Sequence, residues 1–88
     1  MISGKSGSEI DIDVSMIQVL VGPLGTRVLV LISQGCETPD DIVRFSSISY
    51  ECLDVKIPLL LGLELVEEFE STYKTTSRGE AYIAAITG

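Results

Sequence analysis

The chain has no histidine and no tryptophan, only two cysteines, and 6 Lys+Arg against 13 Asp+Glu among its 88 residues. Two cysteines without histidine are too few ligands for a structural zinc site, and neither cysteine has a basic neighbour in sequence to activate it. No metal, cofactor or enzymatic activity is therefore expected, and the carboxylates read more simply as helix caps and solvated faces. Cys36 and Cys52 are either buried thiols or one disulfide, the thiols being the simpler reading. The shortage of cations leaves a net charge of −7, which argues against non-specific attraction to nucleic acid or anionic membranes. Long apolar runs are also missing: Val28 to Ile32 and Ile57 to Leu61, the latter broken by Pro58, are far shorter than a bilayer-spanning helix of roughly 20 residues. Met1 to Glu9 is polar and glycine-rich, with no apolar block behind a basic end. No membrane association and a cytoplasmic location are the expectations.

What the chain does have is 45% apolar residues, enough for one modest core in a single domain. Residues 1–8 have the composition of a disordered terminus, and 9–88 form the expected domain. Gly4-Lys5-Ser6 has the ending of a phosphate-binding loop but lacks the strand and glycine that must precede it. Ile10, Ile12 and Val14 alternate with carboxylates, the period of a half-buried strand or extended arm. Gly22-Pro23 then divides a nearly continuous apolar stretch, because proline is tolerated in a helix's first turn but not in its interior. This predicts a short helical segment over Ser15 to Val21 and a helix from about Pro23 to Ser33, with Leu24, Val28, Leu31 and Ile32 on its inner face and Gly35 as its stop.

Thr38-Pro39-Asp40-Asp41 is a strong helix start: Thr38 caps, Pro39 loses nothing in the first turn, and two carboxylates face the positive helix end. This second helix should run to Phe45 or Ser46 with Ile42, Val43 and Phe45 inward. Ser46-Ser47-Ile48 makes a short turn, and Ser49 caps a third helix carrying Leu53, Ile57 and Leu60 at helical spacing. Pro58 should kink or end that helix. Cys36 precedes the second helix and Cys52 opens the third, with about 12 Å of helix between them at roughly 1.5 Å per residue. That exceeds the ~7 Å a disulfide tolerates, so unbonded thiols are expected. Leu63 to Phe69 and Thr72 to Thr75 read as two strands around a turn at Glu70-Ser71. Thr76 or Ser77 caps a last helix, Ser77-x-x-Glu80 forming a capping box, with Tyr82, Ile83 and Ile86 inward.

The expected class is thus α+β, mostly α: a three-helix core, a β-hairpin and a C-terminal helix. Tyr73-Lys74-Thr75-Thr76-Ser77-Arg78-Gly79 is close to the Tyr-x-Leu-Thr-x-x-Gly string that closes many winged helix-turn-helix domains, and Ile48-Ser49 followed by Glu64-Leu65-Val66 keeps that family's register without a gap. From about Leu24 to Ile86 the chain resembles the winged helix-turn-helix domain of prokaryotic transcription regulators of the ArsR and MarR kind, with an archaeal or archaeal-viral cast. In such domains the aromatic sits on the last strand of the wing, a threonine caps the following helix, and the glycine lets that helix pack against its neighbour. Three residues depart from the pattern: Glu64 stands where glycine is usual, Pro58 interrupts the recognition helix, and Thr75 replaces a leucine.

The resemblance implies sequence-specific binding of duplex DNA by a homodimer that regulates transcription. Ser47, Ser49, Tyr50 and Lys56 would face the major groove, and Arg44, Lys74 and Arg78 the phosphates. Charge opposes this. Ser47 to Gly62 carries Glu51 and Asp54 against Lys56, net −1, and Leu63 to Thr76 carries Glu64, Glu67, Glu68 and Glu70 against Lys74, net −3. A salt-sensitive specific binder makes ~6–10 phosphate contacts, so four cations per protomer require a dimer, for which Met16 to Leu20 and the last helix are the candidate surfaces. The alternative is a winged-helix module that binds another protein, through its acidic wing or apolar helices, and never meets DNA.

Overall fold

A computed structural model of the chain describes residues 13–88, in which four helices and one two-stranded antiparallel hairpin pack around a single apolar cluster. The architecture is α+β and mostly helical, an order compatible with a winged-helix-like layout. The expected terminus over residues 1–8, the phosphate-loop ending at Gly4-Lys5-Ser6, and Ile10 and Ile12 lie outside the described residues. Val14, expected in a strand or arm, instead opens a helix, because the Asp13 carboxylate accepts the Met16 N–H at 3.1 Å and caps it.

Helix α1, Val14–Ser33, is two helical pieces meeting at Gly22, whose φ of 70° no L-residue adopts cheaply, with Pro23 starting the second piece. The division at Gly22-Pro23 is the one the sequence predicts. As one element, α1 has the length and mean hydropathy, 1.7, of a membrane-crossing helix, which the short apolar runs in the sequence do not suggest. One face is occupied by the core, however: Ile17, Val21, Val28, Leu29 and Ile32 are buried. Leu24, expected inward, is 47% exposed, because the break at Gly22 resets the helical phase and turns Gly25, Val28 and Leu29 to the core in its place. At the far end Gly35, φ 110°, closes a Schellman motif, the Cys36 N–H reaching Leu31 O and the Gly35 N–H reaching Ile32 O.

Helix α2, Pro39–Phe45, starts as its sequence requires, with the Thr38 hydroxyl accepting the Asp41 N–H at 3.1 Å. Ile42 is its buried residue; Phe45, expected inward, is 68% exposed, since only two turns are available and Ile42 and Val43 take the inner side. The turn to the next helix is shaped by Ser46, whose hydroxyl donates to Ile42 O and accepts the Ile48 N–H. Ser49 caps α3, Tyr50–Gly62, and Leu53, Ile57 and Leu60 are its buried stripe. Pro58 does not end this helix. Proline costs about 3 kcal/mol in a helix interior, and Pro58 and Asp54 both lie on the exposed side of the helix. Burial of Leu60, worth about 1.5–3 kcal/mol, holds the last turn in place.

The strand expected from Leu63 begins only at Val66, because Leu63 to Leu65 are used to stop α3. Glu64 takes φ 62°, its N–H bonding Leu61 O while the Leu65 N–H bonds Leu60 O: a second Schellman motif, with glutamate where glycine is usual. Strands β1, Val66–Phe69, and β2, Thr72–Thr75, then pair with Val66 opposite Thr75, and Glu70 and Ser71 turn the corner at φ 52° and 69°. Tyr73 sits on the last strand, and its N–H donates to Glu37 O at 2.8 Å, tying the hairpin to the loop before α2.

Thr76, not Ser77, caps α4, Ser77–Thr87, by accepting the Gly79 N–H at 3.0 Å. The expected capping box does not form, since with the cap one residue earlier the Glu80 carboxylate takes the Thr75 hydroxyl instead. Gly79 is forced by packing: a Cβ there would stand 2.1 Å from Leu65 O. Tyr82 is buried against α1, its hydroxyl 2.8 Å from Thr26 Oγ1, while Ile83 and Ile86 are half-buried against the core. Cys36 and Cys52 are free, half-buried thiols, as expected.

Two substitutions test this frame in opposite directions. Gly79→Ala should destabilise by about 1–3 kcal/mol or more, since a backbone oxygen must move to admit the methyl group. Glu64→Gly should stabilise by about 1 kcal/mol, the approximate cost of a side chain in the left-handed region. Urea unfolding followed by circular dichroism measures both.

Candidate functional site

Buried Leu53, Ile57 and Leu60 fix which side of α3 faces inward. The exposed positions that remain are Tyr50, Glu51, Asp54, Val55, Pro58 and Gly62. Two of these are carboxylates, none is a cation, and Val55 is 64% exposed. The side of α3 that would enter a groove is therefore acidic and apolar.

The residues expected to contact DNA are only partly brought together. Arg44, Ser47, Ser49 and Tyr50 cluster around the start of α3, and all four are exposed. Ser49 is engaged as the cap, its hydroxyl accepting the Cys52 N–H, and the Tyr50 hydroxyl donates to Asp40 Oδ1 at 2.5 Å. Lys56 is elsewhere: half-buried, it lies toward α1, where a Cβ built on Gly25 would stand 3.5 Å from its Cδ and one on Gly22 3.8 Å from its Nζ. Its stem thus covers two glycines of α1 rather than reaching outward. Lys74 is on the hairpin, 2.9 Å from Glu37 Oε2, and the register sets Glu67 directly opposite it. Arg78 is half-buried, its Nε donating to Leu63 O at 2.9 Å beside the end of α3. A guanidinium there also meets the negative end of the helix, a structural use that the sequence does not reveal.

Sequence reasoning missed a cavity of about 180 Å³ between α3, the start of α2 and β2, lined by Pro39, Tyr50, Leu53, Asp54, Ile57, Pro58, Leu61 and Tyr73. Its two tyrosines come from parts of the chain that only the fold adjoins. The Tyr50 pKa is raised above the ordinary 10.0, first by its hydrogen bond to Asp40 and then by desolvation and the Asp40 charge, with Arg44 opposing. Tyr73 is raised as well, by desolvation and then by the charge of Glu68. Among the described residues no group of three or more Cys, Asp or Glu is placed to hold a metal ion.

The chain matches no protein family, no curated protein and no solved structure.

A folded-state pKa above the unfolded one favours the neutral phenol, so this contribution to stability is intact below pH 10.0 and is lost as pH rises through the raised values. In a tyrosinate absorbance titration, Tyr50→Phe and Tyr73→Phe should each remove a transition lying above that of free tyrosine, and alkaline unfolding should accompany those transitions.

Proposed function

We propose that this chain is a winged helix-turn-helix module that works as a homodimer and presents its third helix and hairpin to a partner protein rather than to DNA. The exposed side of α3 carries this reading: Glu51 and Asp54 with no cation, beside a hairpin whose Glu67, Glu68 and Glu70 are exposed and whose Lys74 is paired with Glu37. A salt-sensitive DNA complex needs ~6–10 phosphate contacts, and of the four expected cations Arg78 and Lys74 are engaged and Lys56 is turned toward α1.

The homodimer reading is supported by α1. Met16, Val19, Leu20 and Leu24 are 57%, 82%, 47% and 47% exposed, and no residue from Val14 to Thr26 is charged. Two copies of a chain with net charge −7 meet with least repulsion through such a face. Burying the exposed part of eight such side chains, at up to about 1.5–3 kcal/mol each, is of the order of the roughly 4–15 kcal/mol that association costs. The stripe makes a weak, concentration-dependent dimer.

A second reading, a DNA-binding transcription regulator, is favoured by one observation: Arg44, Ser47 and Ser49 stand exposed together at the start of α3, where the helix dipole attracts anions. Fluorescence anisotropy with duplex DNA at about 20 mM salt, where screening is weak, separates the two. No binding is expected, and a saturable complex weakened by Arg44→Ala would establish the DNA reading instead. For the dimer, light scattering should show association with rising concentration, and Val19→Asp should abolish it while leaving the circular dichroism spectrum unchanged, because Val19 is outside the core.

A further inference from the structure

We propose that the cleft between α3 and β2 captures an extended segment of a partner protein through an arginine side chain laid against Tyr50 and Tyr73. The inference rests on the protein-binding reading above and names the chemistry of what is bound. At about 180 Å³ the cleft is below the ~300–1,000 Å³ of sites for small-molecule ligands and cofactors, and a helix about 10 Å across does not enter it. One or two side chains of an extended chain do.

Charge selects which. Asp54 lines the cleft, Asp40 accepts the Tyr50 hydroxyl at its edge, and Glu68 acts electrostatically on Tyr73. No lysine or arginine lines it; Arg44 opposes the carboxylates at Tyr50, and Lys74, next to Tyr73 on β2, is paired with Glu37. The environment is net negative around two aromatic rings, and a planar guanidinium both stacks on tyrosine and pairs with a carboxylate. The Tyr50 ring is held by its hydroxyl bond to Asp40 and the Tyr73 main chain by its bond to Glu37 O, so less ordering remains to be lost on binding. Ile57, Pro58 and Leu61 supply an apolar floor for the residue beside the arginine.

The test is an amide chemical-shift titration of the labelled protein with the capped tetrapeptide Leu-Pro-Arg-Leu, with Leu-Pro-Gln-Leu as control. Saturable shifts confined to Tyr50, Asp54, Leu61 and Tyr73 are expected, with affinity near 1 mM or tighter and the glutamine peptide about tenfold weaker. Asp54→Asn and Tyr50→Ala, both at exposed positions, should each weaken binding about tenfold while leaving the rest of the spectrum in place. Shifts spread over Glu67, Glu68 and Glu70 and indifferent to Tyr50→Ala would reduce the effect to general attraction by an acidic surface and overturn the proposal. So would no shift at all. Neither result touches the module reading, which fails separately if duplex DNA, added in place of peptide, shifts Arg44, Ser47 and Ser49.

Discussion

The close approach of Gly79 to the Leu65 carbonyl is the constraint on which the other contacts of this fold depend. It allows the first turn of α4 to lie directly on the segment that leaves α3, where three successive carbonyls are met by three groups from that turn. Leu63 O accepts from Arg78 Nε, Glu64 O from the Thr76 hydroxyl, and Leu65 O from the Thr76 N–H. The C-cap carbonyl of α3 and the two carbonyls that follow it are thereby paired. The same placement brings Tyr82 under α1, where its hydroxyl meets Thr26. One residue without a side chain thus lets the last helix lie against the segment that leaves α3.

Three of the five cations among the described residues hold parts of the protein itself. Arg78 closes a helix end, Lys74 ties the hairpin to the loop before α2, and Lys56 spreads over the glycines of α1. Their carboxylate counterparts are left outward along α3 and the hairpin, and the surface potential follows from that division rather than from net charge alone. The first half of α1, from Val14 to Thr26, is uncharged and leaves Met16, Val19, Leu20 and Leu24 exposed.

Much of the fold is legible in local signals. The caps at Thr38 and Ser49, the stop at Gly35, the division at Gly22-Pro23, the turn at Glu70-Ser71 and the stripe of Leu53, Ile57 and Leu60 depend on residues within a few positions of one another, and each is found where its sequence places it. Local rules fail where a distant contact competes. Pro58 does not end α3, which continues to bury Leu60, Leu24 and Phe45 lose the inner positions to neighbours with a better angle, and Glu64 accepts a strained backbone so that α3 can stop and Leu65 can be buried. The candidate site was legible only as residue types: Arg44, Ser47, Ser49 and Tyr50 stand exposed around the start of α3, whereas Lys56 and Arg78 are drawn away by partners far from them in sequence.

By itself, then, the sequence determined the order of the helices and most of their caps, the hairpin and its turn, and the acidity of the chain, because capping, periodicity and charge act within one or two turns of chain. The tertiary structure alone decided which way each long side chain points and which surfaces adjoin. Tyr50 and Tyr73 line one cleft, Lys56 covers α1, and Arg78 is committed to a carbonyl fifteen residues earlier. Such outcomes depend on helix phase and interhelical distance, which are set by the packing of the whole core and are encoded at no single position.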